Sequence, residues 1–132
     1  VQGEVVPGRG IGKTLGFPTA NVRPHHSAIP AQGVYVAEVP LDGVAYPAAV
    51  NIGIAPTIAH EDAVIEAHLL GFTGDIGGRA IEIVFHRRLR PERKFPTRAD
   101  LSVAIRQDVE AVAEYFNPVR TGATNPAREG GT

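Results

Sequence analysis

The chain has 132 residues, 13 Lys and Arg against 14 Asp and Glu, and no cysteine. That length suits one domain, the balanced charge argues against a broad electrostatic grip on nucleic acid, and the lack of cysteine excludes disulfides and thiolate metal sites. No apolar run approaches the roughly 20 residues needed for a membrane-spanning helix and no signal peptide is legible, so the expected setting is the cytoplasm.

Glycine and proline are dispersed and punctuate short segments, the pattern of a β-rich domain with many turns. A short strand opens the chain at Glu4-Val5-Val6, and another is expected over Thr19 to Val22. Gly33 to Val39 combines β-branched and aromatic residues and reads as a strand. Leu41-Asp42-Gly43 reads as a hairpin turn, leading into a strand over Val44 to Ile52. Pro47 within that strand predicts an edge or a bulge. Ala63 to Leu70 is a third strand of this set and Arg79 to Leu89 a fourth, with Ile81, Val84 and Phe85 expected in the core. A helix then starts near Thr97, which can cap, with Asp100 placed for a capping box. Leu101, Ile105, Val109, Val112 and Phe116 recur at helical spacing, and Asn117-Pro118 ends the helix. From Thr121 onward no periodicity is present, which predicts a mobile tail. Strands first and one helix last, without crossover helices, favour a small antiparallel barrel with the helix packed on it.

The stretch GRGIGKTLGFPTAN, Gly8 to Asn21, has the composition of a phosphate loop. It fails the Walker template, because the first required glycine falls on Pro7, and it fails G-x-G-x-x-G, because the third glycine falls on Lys13 or Leu15. What remains is a run of glycines whose N–H groups can turn toward an anion, with Lys13 as a point charge. Thr19 and Asn21 are two apart, so in an extended segment they share one face and offer hard oxygens to a cation such as Mg²⁺. The plain alternative is a glycine-rich hairpin tip followed by a polar strand edge. Further on, Val64, Glu66, His68 and Leu70 share one strand face, where a glutamate between apolar neighbours is most simply a solvent-facing residue. The five histidines have no zinc spacing. Arg87, Arg88, Arg90, Arg93 and Lys94 form a basic cluster that is either a solvated strand end or an anion site.

Taken in order, these segments resemble the riboflavin kinase (flavokinase) family, which phosphorylates riboflavin to FMN with ATP and Mg²⁺. The resemblance is carried by GRGIGKTLGFPTAN, Pro30-x-x-Gly33-Val34-Tyr35, Asn51-Ile52-Gly53-Ile54-Ala55-Pro56-Thr57, Ile65-Glu66-Ala67-His68-Leu69-Leu70, Leu89-Arg90-Pro91-Glu92-Arg93-Lys94-Phe95, and Leu101, Ile105 and Asp108 of the closing helix. It implies a mainly all-β fold, a six-stranded antiparallel Greek-key β-barrel with a C-terminal helix over residues 1–118, followed by a mobile tail over 119–132. It implies ATP binding by Gly8, Arg9, Gly10, Gly12, Lys13, Thr19 and Asn21, Mg²⁺ at Thr19 and Asn21, and a catalytic Glu66. Asp75, Ile76, Arg90 and Phe95 are implied on the flavin. The chain departs from the resemblance at Gly71, where an aspartate is usual, and at Asp75-Ile76-Gly77-Gly78, which lacks the tyrosine of D-L-Y-G and so offers less apolar surface to the isoalloxazine ring. In bacteria this module is usually half of a bifunctional protein, which implies native fusion to an FMN adenylyltransferase module and no FAD formation by this part. The implied partners are riboflavin, FMN, ATP and ADP, with no nucleic acid and no membrane. The competing reading is a non-catalytic flavin- or nucleotide-binding regulatory module.

Overall fold

The computed structural model describes residues 1–6, 19–25, 29–56 and 61–117; the glycine stretch 7–18 and the tail 118–132 lie outside the described residues. Among the described residues, seven strands and one helix follow in chain order. These are β1 (Gln2–Val6), β2 (Thr19–Pro24), β3 (Gly33–Leu41), β4 (Val44–Pro56), β5 (Glu61–Leu69), β6 (Ala80–Glu82), β7 (Val84–Arg90) and α1 (Arg98–Phe116).

One antiparallel sheet contains all seven strands in the order β6-β1-β2-β5-β4-β3-β7. β3, β4 and β5 are neighbours in sequence and in space, and β2 lies beside β5, which is the Greek-key order. The edge strands β6 and β7 are consecutive in the chain, separated by Ile83 alone. The single strand expected over Arg79 to Leu89 is thus two: its first part pairs with β1 and its second with β3. That is why seven strands stand where six were expected. The stretch serves both edges of the sheet and changes partner at Ile83, whose N–H donates to the Val1 carbonyl at 2.7 Å. Carrying the chain from one edge to the other through one bent segment curls the sheet toward a barrel.

The β3–β4 hairpin closes on Asp42 (φ 52°) and Gly43 (φ 84°), the two positive φ values that a type I′ turn demands. β4 runs past Ile52 to Pro56, and Pro47 lies where β5 has stopped pairing. Only the Pro47 carbonyl is needed there, accepting the Leu70 N–H at 2.8 Å, so the missing N–H costs no ladder bond.

Two apolar clusters divide along strand parity. Ala20, Val22, Tyr35, Ala37, Val39, Val50, Ile52, Ile65, Ala67 and Leu69 point into the barrel, joined by Ile76, Ile81 and Ile83. Val36 and Ala49 point outward and meet Val112 of α1, with Leu70, Leu89, Val109 and Phe116 around them. β3 is apolar on both faces because one face fills the barrel and the other lies under the helix. Val84, expected in the core, is instead exposed beside Glu38 at the β3–β7 edge. At the helix start, Thr97 Oγ1 accepts the Asp100 N–H at 3.0 Å. At its end, the Asn117 N–H reaches the carbonyls of Ala113 and Glu114.

Candidate active site

Directly opposed residues on antiparallel neighbours project to the same side of the sheet. The registers link Asn21 to Glu66, Glu66 to Asn51, Asn51 to Val34 and Val34 to Arg90, one row across β2, β5, β4, β3 and β7. The adjacent row of the same parity carries Thr19, His68, Ala49 and Val36. Residues of opposite parity fill the barrel, so both rows lie on its outer wall. Glu66 is therefore outside the barrel, and Thr19 and Asn21 stand beside it on that same wall.

Helix α1 and the segment 91–97 roof this wall. A narrow cleft beneath them is lined by Asn51, Glu66, His68 and Asp108, with Arg90, Glu92, Arg93, Phe95, Leu101 and Ile105 opposite or beside them. It continues into a broader cleft that shares Asn51, Glu66, Glu92, Arg93, Phe95 and Leu101 and adds Gly53, Lys94 and Arg98. Asn51 and Glu66 are half-buried, and the amide oxygen of Asn51 is buried with no hydrogen-bond partner among the described residues. A polar atom in that state has lost water without compensation, which is the condition a bound ligand relieves. Gly53 gives room for Glu92: a Cβ there would collide with the Glu92 carboxylate.

Arg90 grips Asp108 of α1 with two hydrogen bonds, Nε to Oδ1 at 3.0 Å and Nη2 to Oδ2 at 2.8 Å. This pair ties the roof to the wall. The Arg90 and Arg93 guanidinium carbons lie 5.7 Å and 5.2 Å from the Phe95 ring centroid, which holds that ring at the cleft mouth. His68 Nδ1 lies 3.0 Å from Thr19 Oγ1. Burial pushes the His68 pKa down to about 4, against the opposing pull of the Asp108 charge, so its ring is neutral at physiological pH.

Of the residues expected from sequence, Thr19, Asn21 and Glu66 come together, and Arg90 and Phe95 line the same cleft as Glu66. Gly8, Arg9, Gly10, Gly12 and Lys13 lie outside the described residues. Asp75 and Ile76 are engaged elsewhere: the Asp75 carboxylate accepts the Gly77 N–H at 2.9 Å, and Ile76 is packed in the barrel core. The cleft also contains Asn51, His68, Glu92, Arg93 and Asp108, which the sequence does not by itself bring to the site. His68 carries a legible signal, its two-residue spacing from Glu66 on one strand face. Among the described residues no group of three or more His, Cys, Asp or Glu side chains could cage a metal ion. The donors at hand are the neutral oxygens of Thr19 and Asn21. They fit Mg²⁺, which keeps waters and takes its negative ligands from a nucleotide's phosphates.

A small antiparallel barrel with a roofed polar cleft on its outer wall is a ligand-binding scaffold, and the comparisons say of which kind. The family model described as Flavokinase: Riboflavin kinase matches residues 1–116, and the chain belongs to this family. It is 41% identical over 119 residues to the bifunctional riboflavin kinase/FMN adenylyltransferase of Pseudomonas fluorescens, covering 89% of this chain and 38% of that protein. With the protein of the same description from Escherichia coli K12 it shares 38% identity over 133 residues, covering 96% and 39%. A Streptococcus pneumoniae crystal structure described as a macrolide-efflux protein superposes with a TM-score of 0.79 at 32% identity, covering 85% of this chain and 37% of that one. The chain thus spans about two-fifths of the length of the curated relatives it matches. No helix among the described residues is long and apolar enough to cross a membrane.

Proposed function

We propose that this chain transfers the terminal phosphoryl group of ATP to the 5′-hydroxyl of the riboflavin ribityl chain, giving FMN and ADP. The observation that carries this reading is the register that sets Glu66 directly opposite Asn21 on the outer wall, with Thr19 one step along the same face. Phosphoryl transfer asks mainly for alignment and charge neutralisation, so a base and a phosphate-facing hydroxyl–amide pair on neighbouring strands supply what the protein must contribute.

In this mechanism Glu66 accepts the hydroxyl proton as the ribityl oxygen forms its bond to the γ-phosphorus. The bond from that phosphorus to the β,γ-bridging oxygen breaks and ADP leaves. Thr19 and Asn21 would hold the divalent cation, which would supply charge neutralisation at the nucleotide's phosphates. Gly8, Arg9, Gly10, Gly12 and Lys13 serve the ATP phosphates. The flavin lies in the cleft against Phe95 and Arg90, where Asn51 offers its unpaired amide oxygen to a substrate N–H or O–H. Asp75 and Ile76 act on the flavin only through the shape of their loop, since their side chains are engaged locally. The relatives' length supports native fusion to an FMN adenylyltransferase module, and dependence on ATP accords with the cytoplasm.

Incubation with riboflavin, ATP and MgCl₂, followed by chromatographic separation of the flavins, tests the reading. FMN is expected, its formation stops with EDTA, and Glu66→Gln lowers turnover by roughly 10²- to 10⁴-fold without unfolding the protein. Near-normal turnover in that variant removes Glu66 from the chemistry. The engagement of Asp75 and Ile76 away from the cleft favours, as a second reading, a binding module without catalysis. Tight flavin binding with no ATP-dependent product selects it.

A further inference from the structure

Thr19 and His68 face each other across β2 and β5, with Oγ1 and Nδ1 3.0 Å apart, and His68 is only 5% exposed. A hydroxyl has one proton and two lone pairs, whereas a neutral imidazole has a proton on one nitrogen and a lone pair on the other. Two arrangements fit this distance. Either the ring N–H points at the hydroxyl oxygen and occupies a lone pair, or the hydroxyl proton points at the ring nitrogen and both oxygen lone pairs stay in use elsewhere. A hydroxyl that serves a cation must turn its proton away from it, and an acceptor behind the hydroxyl fixes that direction.

We propose that His68 is a positioning residue for the cation site: its Nδ1 accepts the Thr19 hydroxyl proton, the ring proton sits on Nε2, and the Thr19 oxygen is thereby aimed at the divalent cation of the nucleotide complex. The inference rests on the reading that Thr19 is a cation ligand. His68 suits the task because its backbone is fixed in mid-strand and its ring is packed, so the acceptor cannot wander. A cationic side chain at this point would only donate and would repel the metal. The charged groups that share its cleft are Asp108, Arg90, Glu66, Glu92 and Arg93, and Arg90 and Asp108 are already paired to each other.

The test is calorimetric titration of the 132-residue protein with ADP, once in excess MgCl₂ and once in EDTA. The ratio of the two affinities isolates the metal-dependent part. His68→Leu removes the acceptor while keeping an apolar side chain of similar bulk, and the ratio is expected to fall by about tenfold. His68→Asn sets an amide oxygen near the Nδ1 position and keeps the ratio within about threefold of the parent. His68→Gln, whose amide reaches the Nε2 position instead, loses it as His68→Leu does, so the inference stays testable if the leucine variant does not fold. In a Thr19→Val background, His68→Leu has no further effect. An unchanged ratio in both His68→Leu and His68→Gln overturns the inference, as does an equal loss in His68→Asn or an additive loss in the double variant. If Thr19→Val alone leaves the ratio intact, the cation-ligand reading falls first. If Thr19→Val lowers it and the His68 variants do not, only the role of His68 falls.

Discussion

Acidification should unfold this protein through His68 before its paired carboxylates give way. The ring titrates near 6.5 in an unfolded chain and near 4 in the folded one, because burial at 5% exposure strips water from the charged form. Between those values the unfolded state binds a proton that the folded state refuses, so stability is complete above about pH 6.5 and falls as pH drops toward 4. At 1.36 kcal/mol for each tenfold change, the loss between pH 7 and pH 4.5 is about 2.5 kcal/mol, a sizeable share of a small domain's stability. Five charged groups share the cleft with the ring: Asp108, which favours its protonation, Arg90, which is committed to Asp108, and Glu66, Glu92 and Arg93. Asp42 behaves in the same sense, since the Arg79 guanidinium holds its carboxyl below the ordinary 3.8, but its contribution disappears only below that value and so lies outside the window. Urea unfolding at the two pH values, without nucleotide or divalent metal, measures the drop. His68→Leu has no ring to protonate, so its drop should be smaller than the parent's by about 2.5 kcal/mol. Equal drops in the two proteins would refute the reasoning.

Asp108→Asn leaves Arg90 facing a neutral amide. With the two side chains 24% and 11% exposed, the pair lies between a solvated ion pair, worth under about 1 kcal/mol, and a buried one, whose rupture costs about 3–5 kcal/mol. A loss of about 2 kcal/mol, read as a lower thermal midpoint, is the expected outcome; an unchanged midpoint denies the pair its role in fastening α1. Gly53→Ala and Gly3→Ala make a contrast. At Gly53 the new methyl meets the end of the Glu92 side chain, which can swing aside, so the stability should stay within about 1 kcal/mol of the parent. At Gly3 it meets the Arg23 carbonyl and Val22 Cγ1, both at 2.6 Å within a paired strand, and about 2 kcal/mol or more is lost. Denaturant titration of both variants checks the order, and the reverse order would count against the geometry.

How much of this was legible beforehand depended on whether the signal was local. The Asp42-Gly43 turn, the Thr97 cap and the helix stripe are decided within a few residues, and each appeared where the local chemistry put it. The placement of Ile65, Ala67 and Leu69 on one face of β5 and of Glu66 and His68 on the other followed from a two-residue period. What needed three dimensions was partner choice. Nothing local tells Ala80–Glu82 to pair with β1 and Val84–Arg90 with β3, because that switch is set by which edges the barrel brings together. The same holds for the site. Asn51 lies fifteen residues from Glu66 and thirty from Asn21, and only the registers of β4, β5 and β2 put them in one row. The Arg90–Asp108 pair is invisible until a helix is laid across the sheet.

The location of the cleft on the outer wall follows from the size of the barrel. A barrel of about six strand segments has an interior that side chains fill completely, and here Val36's inward neighbours Tyr35 and Ala37 pack with Val50, Ile52, Ile65 and Ala67 at 8% exposure or less. No ligand can enter such a core, so any chemistry must use the residues of opposite parity. On most of a barrel that face is solvated and a carboxylate there is merely a surface charge. Here α1 and residues 91–97 cover it, fastened by Arg90 to Asp108 and by apolar contacts of Val112 with Val36 and Ala49. Covering converts a solvated row into a cleft of reduced dielectric, where a carboxylate and an unpaired amide would act on a ligand more strongly than in water. In the proposed mechanism the helix is therefore as necessary as Glu66 itself. A variant that loosens α1 while leaving the barrel intact, as Asp108→Asn should, is expected to lose turnover out of proportion to its loss of stability.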